Sequence, residues 1–275
     1  MSTWKPLAAR VSFIADAPAT EKPIASSLFL QGWGTDPQSF QQQPNPLAPS
    51  IAQGVRSGML ATCAVLPNRI DFALAPHAKG TQADRPTLVT IDSLIALYEE
   101  LTRVAGRLRD GTLLVPTPFA RPAVFLQFLS PEETRPAANQ RIVGVIPSSY
   151  RPKLEDEESF ALQLSRPLRI GDVSTNVLTK WSVETFQVFW FGIQATAGGA
   201  ASFSPRVEHF LGACVAFDIG PPGQTGISFG APAPPGVVDR SKQAEIIFSA
   251  LQYVDRVQRE YGLDLESISS VTTTH

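Results

Sequence analysis

Gly226-Ile227-Ser228-Phe229-Gly230 fits the G-x-S-x-G pattern of a serine nucleophile, the one catalytic pattern in the sequence. Such a serine is reactive because a strand runs into it and a helix leaves it, holding the hydroxyl on a strained turn. Here Pro221-Pro222-Gly223 lies just ahead of the motif, and Pro232, Pro234 and Pro235 follow it. Proline removes a backbone donor and clashes with the preceding helical turn, so neither flank can supply its element. A triad base should follow the serine, and the only later histidine is His275, the last residue. The sequence argues against catalysis by Ser228.

A second constellation surrounds His209, which lies beside Glu208 and upstream of Cys214 and Asp218. A Cys–His pair needs its side chains within hydrogen-bond reach. On one strand, alternation sends His209 and Cys214 to opposite faces, unless a turn near Gly212 intervenes. Glu208, His209 and Asp218 remain as the only titratable cluster on which an enzyme could be built. His77, in APHAKG, reads as a surface-loop residue. Three scattered histidines and two distant cysteines have no metal-ligand spacing. Gly32-Trp33-Gly34 and Gly198-Gly199 are framed by no strand–helix junction and no G-K-[ST]. The sequence calls for no cofactor and no metal.

Binding chemistry has a better foothold in GWGTDPQSFQQQPNPLAPS, Gly32–Ser50, with four prolines, four glutamines and one charged residue. Amide and indole side chains bury area while still hydrogen-bonding a polar partner. Trp33, Phe40, Gln41, Gln42, Gln43 and Asn45 are therefore the candidate binding residues. Trp33, Phe40, Leu47 and Ile51 are expected to pin the stretch to the core, while its prolines stiffen it by fixing φ. It reads as an ordered cover over a sheet face or as a contact loop.

The elements that must position these residues follow from periodicity. In Thr90–Gly111 the apolar residues Ile91, Leu94, Ile95, Tyr98, Leu101, Val104, Ala105 and Leu108 recur at helical spacing, with Thr90 or Asp92 as cap. A second stripe, Ala244, Ile247, Phe248, Leu251, Val254, Val257 and Tyr261, lies between an Asp239 cap and a Gly262 stop. Strands are expected at Arg10–Ala15, Gly58–Leu66, Arg69–Ala75, Ala123–Leu129, Ser159–Ile170, Asn176–Val183, Thr185–Ile193 and Gly212–Ile219, with Pro67–Arg69 as a hairpin connection. The segment TFQVFWFGI is apolar on both alternating faces, as in a covered central strand or one meeting a partner.

Short connections between strands imply antiparallel pairing. The fold class expected is α+β: two mostly antiparallel sheets, each with one long amphipathic helix packed on a face. The division expected is an N-terminal half, 1–146, and a C-terminal half, 147–275, or one integrated domain, with the Pro- and charge-rich Val145–Glu158 between the halves. The halves are compatible with a diverged pair.

The order of elements resembles a sporadically distributed bacterial family of uncharacterised proteins of about this length. The shared layout is a strand near the N-terminus, the RPAVFLQF strand after a helix, a strand ending in FDI and a closing amphipathic helix. That family's Pro-Pro-Ile opening is absent. The resemblance implies two α+β halves and no activity.

Composition narrows the function classes. Charged residues are 17% of the chain, against about 25% typically, and the net charge is −2. Such a surface has little electrostatic protection against association, so part of it is expected to be covered by another subunit or partner. The 23 basic residues are scattered among 25 acidic ones, which argues against nucleic acid. No apolar run is long enough to cross a bilayer, and MSTWKPLAAR has no export-signal core. Cys63 and Cys214 read as buried thiols in a reducing cytoplasm. The expected function is a non-catalytic bacterial protein- or peptide-binding or assembly protein, acting as a subunit, an accessory factor or a homo-oligomer. The alternative is a cofactor-independent, hydrolase-like enzyme using Glu208, His209 and Asp218.

Overall fold

The computed structural model describes residues 3–15, 23–42, 45, 48–78, 88–116, 119, 121–152, 160–195, 201–220 and 239–263, with backbone alone at 189–195 and 201–206. In chain order the elements are β1 (Lys5–Ile14), α1 (Ala25–Trp33), β2 (Ser39–Gln41), β3 (Ser50–Arg56), β4 (Met59–Val65), β5 (Arg69–Pro76) and α2 (Leu94–Arg109). There follow β6 (Arg121–Glu132), α3 (Arg135–Val145), β7 (Ala161–Ile170), β8 (Val173–Ala195), β9 (Ala201–Gly220) and α4 (Arg240–Glu260). The Ser228 motif lies outside the described residues.

All nine strands join one sheet in the order β2-β3-β4-β5-β1-β6-β9-β8-β7, and every pairing is antiparallel. This corrects the expectation of two sheets. The seam is β1 on β6, paired from Lys5↔Leu129 to Ile14↔Arg121 with one register shift between Pro6 and Ala8. Two separate sheets would have left both strands with an open edge of unpaired backbone groups; pairing them satisfies both. Alternation in a sequence identifies a strand but not its neighbour, so this seam had no signature.

The halves repeat one topology. A strand, a short helix, a meander and a long helix occur twice, with β1 and β6 adjacent at the centre. The repeat divides between α2 and β6, whereas the division read from the sequence, at 146/147, falls just after α3.

Alternation along each strand separates two faces. One carries Val11, Phe13, Ile70, Phe72, Val124, Leu126, Phe128, Val215, Phe217 and Ile219, each buried. Burying such side chains supplies ~1.5–3 kcal/mol apiece, the main favourable contribution to the fold. The helices lie on this face. Gly32 of α1 sits against Phe72, where a Cβ would approach Cε1 to 2.3 Å, so only glycine permits this approach. Ser130, whose Oγ accepts from Arg141 Nε of α3 at 3.2 Å, shares that face with Phe128. Beyond the end of α4, the Tyr261 ring stacks on Phe217 (6.2 Å) and meets Trp181 (5.6 Å).

Both expected long helices are present. In α4, Asp239 Oδ1 accepts from the Lys242 N–H at 2.7 Å, and Gly262 ends the helix at φ 66°. In α2 the cap is Ser93, not Thr90 or Asp92; its Oγ accepts from the Ala96 N–H at 3.1 Å. The helices α1 and α3 had no clear stripe. The first is nine residues with adjacent Leu28, Phe29 and Leu30, and the second carries Pro136 as its second residue.

Candidate functional site: the open face of the sheet

The second set of alternating residues faces away from the helices, and among the described residues no helix covers it. Its centre is small: Ser12 of β1 stands between Asp71 of β5 and Ala123 of β6. Larger side chains surround that floor. Arg69 and Arg121 flank Ile14 on either side, and Arg10 lies four residues back along β1 beside Phe125. Strands are about 4.8 Å apart and rise about 3.3 Å per residue, so these guanidinium groups all arise within ~15 Å of one another.

A charge network joins Arg10 and Arg69 through Asp71. Asp71 is buried and accepts from Ser12 Oγ at 2.7 Å; Arg69 Nε lies 2.9 Å and Arg10 Nε 3.8 Å from its carboxylate. The Arg10 guanidinium also stands 5.4 Å from the centre of the Phe125 ring. Asp218 of β9, opposite Phe125, has its carboxyl pushed above the ordinary 3.8 by burial, with Arg10 and Arg69 pulling back only in part.

A second network sits farther along the same face. Glu184 accepts from Ser182 Oγ (2.7 Å), Lys180 Nζ (2.9 Å) and Gln127 Nε2 (3.3 Å). Burial pushes its carboxyl up, but the bonds from Lys180 and Ser182 outweigh that and leave it below the ordinary range. Cys214, on the same face, and Cys63, on the helix-covered face, are both buried, and burial raises both thiols well above their ordinary value. Neither is a nucleophile in this state.

The residues singled out from sequence fall in three places. Glu208 and His209 are adjacent in β9 on opposite faces, with His209 exposed and paired to Gln187. Asp218 lies ten positions on, about 30 Å along the strand, so the structure does not bring the three together. His209 and Cys214 do project to opposite faces. Trp33 is in the core at the end of α1, 1% exposed. Phe40 is in the edge strand β2 and 42% exposed, so it does not pin the stretch as expected. Gln41, Gln42 and Asn45 are exposed, and Gln43 lies outside the described residues.

Sequence reasoning missed Arg10, Arg69, Asp71, Arg121 and Phe125. Their signal was available in RVSFIA, RIDFALA and RPAVFLQF, where they occupy the alternate positions between core residues. Core patterning drew attention to the wrong parity.

Among the described residues, no three His, Cys, Asp or Glu side chains gather as metal ligands, and no helix is long and apolar enough to cross a membrane. No family model matches the chain, and no curated protein or solved structure matches it either. The resemblance drawn above rests on layout alone.

Proposed function

We propose that this chain is a non-catalytic binding or assembly protein that takes a protein or peptide partner on the open face of its sheet. The observation that carries this reading is the one-sided layering: four helices on one face, and on the other an alternating set in which half-buried residues surround the buried Ser12, Asp71, Ala123, Leu129, Ser182 and Cys214. That face mixes apolar contact area (Ile14, Ile51, Val55, Leu60, Phe125, Leu178) with fixed polar groups (Gln53, Thr62, Gln127) and the arginine network. Exposed apolar area ringed by polar groups is the usual composition of an interaction surface. The two buried free thiols fit a reducing compartment, and the reading places the protein in the cytoplasm.

Site-specific photo-cross-linking tests it. A benzoylphenylalanine at position 125 is expected to yield a discrete adduct in cells, whereas the same group at Arg256, on the outer side of α4, yields none. Equal labelling from both positions, or none from 125, overturns the proposal.

A further inference from the structure

The register draws a trough across the middle of the open face. Ala64, Asp71, Ser12 and Ala123 face one another in a single row over β4, β5, β1 and β6. Gly220 of β9 continues the row, since a Cβ added there would stand 3.0 Å from that of Ala123. At about 4.8 Å per strand the row is ~19 Å long, and it holds no side chain larger than that of Asp71. The walls stand one alternate position away on either side. Arg69, Ile14 and Arg121 make one wall, and Arg10 and Phe125 belong to the other. The three arginines therefore come from adjacent strands and alternate between the walls. Arg10 and Arg121 each stand two residues before the facing pair Ser12 and Ala123, so each half of the molecule contributes one.

The charge of this trough is unbalanced. Both oxygens of Asp71 have close partners, Ser12 Oγ at 2.7 Å and Arg69 Nε at 2.9 Å. Arg10 Nε is buried, 3.8 Å from the same carboxylate, and makes no hydrogen bond among the described residues. A buried charged donor left unbonded is costly, so an acceptor brought to it is favoured. Three guanidinium groups stand against the carboxyls of Asp71 and Asp218, and burial shifts Asp218 toward its neutral form. The excess is local, because the whole chain carries a net charge of −2. We propose that the occupant of the trough is an extended acidic segment of a partner protein, its Asp and Glu carboxylates held by Arg10, Arg69 and Arg121. This rests on the open-face reading above and names the chemistry of the partner which that reading requires. The planar guanidinium fork takes both oxygens of a carboxylate, and Ile14 and Phe125 offer apolar contact between the arginines. The pattern favours a peptide over a nucleic acid. A nucleic-acid strand presents a phosphate about every 3.4 Å and is held by a long run of cations, whereas these three lie within ~15 Å of one another.

Fluorescence anisotropy on the full chain tests it, with a fluorescein-labelled peptide repeating Glu-Leu-Glu-Ser as the probe. A peptide repeating Gln-Leu-Gln-Ser and a poly-thymidine oligonucleotide are the comparisons. The Glu peptide is expected to bind at least tenfold more tightly than the Gln peptide, with the gap narrowing as salt is added. Arg10→Gln should weaken binding of the Glu peptide at least tenfold, and Arg10→Lys by less, because the charge stays and only the fork is lost. Arg121→Gln should weaken it as well and leaves the Asp71 ion pairs in place, so it decides the matter if Arg10→Gln fails to fold. Arg256→Gln, on the outer side of α4, should leave binding unchanged. Equal affinity for the two peptides, arginine variants that bind as the wild type does, or tighter binding of the oligonucleotide overturns the inference. A discrete adduct from position 125 without any preference for the Glu peptide leaves the open-face reading standing and removes this one.

Discussion

Replacing Glu100 perturbs the only described contact between the long helix α2 and the β3–β4 turn that is built on a buried charge. Glu100 is 1% exposed. Its carboxylate accepts from Ser57 Oγ at 2.8 Å, from Arg103 Nε at 3.2 Å and from Arg56 Nη2 at 3.4 and 3.5 Å. The turn it holds has positive φ at both central residues, Ser57 at 46° and Gly58 at 78°, the arrangement of a tight two-residue hairpin. Ser57 is the one described non-glycine residue in that region, and its bond to Glu100 helps to hold it there. Hydrogen bonds to a charged group contribute ~1.5–3 kcal/mol each. Arg103 is 46% exposed and Arg56 19%, so solvent discounts their share. Breaking a fully buried pair costs ~3–5 kcal/mol, and the partial exposure here sets Glu100→Ala at the lower end, about 3 kcal/mol. For a chain of this size that lowers Tm by ~6–12 °C. Urea denaturation with an unchanged slope is the assay. Glu100→Gln, which keeps the shape and loses the charge, should fall about halfway, and Ser57→Gly should be near neutral because relief of the positive φ offsets the lost bond. A Glu100→Ala midpoint within error of the wild type would refute the reasoning.

Two further outcomes follow from the titratable groups. The carboxyl of Asp218 is raised by burial, so the folded state holds its proton more tightly than the unfolded chain does. Its contribution is fully present below the ordinary 3.8 and is lost as pH rises through the raised value. Asp218→Asn should therefore be more stable than the wild type at neutral pH, with the advantage vanishing below pH 3.8 in pH-dependent melting. A constant difference across pH would remove burial as the cause. Both cysteines are buried with raised thiols, so a thiol-disulfide reagent should find no reactive group in the native protein and both in denaturant. Rapid native labelling of either would contradict their placement.

The legible part of the fold was local. Stripes of apolar residues at helical spacing gave α2 and α4, and Asp239 and Gly262 marked the ends of α4 because capping chemistry is written in adjacent residues. Alternation made β1, β4, β5, β6, β7, both parts of β8 and the end of β9 legible, whereas β2, β3 and the first half of β9 were not expected as strands. What lay beyond reach depended on partners far apart in the chain. The β1–β6 seam joins residues more than a hundred positions apart, and nothing in KPLAARVSFI names RPAVFLQFLSPE as its neighbour. TFQVFWFGI and the strand before it read as two elements, yet they form the single strand β8, because Glu184 sits in the ladder opposite Gly212 instead of in a turn. The candidate site was hidden for the same reason. Arg10, Arg69 and Arg121 come from three separate strands, and only the register places them around Ser12. Conversely, Glu208, His209 and Asp218 are close in sequence and held apart by an extended strand.

The most direct test of the account is the affinity of a partner, once captured through position 125, for proteins altered on one face of the sheet at a time. Ala73→Trp fills the open face beside Arg10, and Arg256→Ala alters only the outer surface of α4. Measured by fluorescence anisotropy, Ala73→Trp should weaken binding at least tenfold, ~1.4 kcal/mol, while Arg256→Ala leaves it unchanged. Unaltered affinity in a folded Ala73→Trp protein would contradict the claim that the open face is where this protein binds.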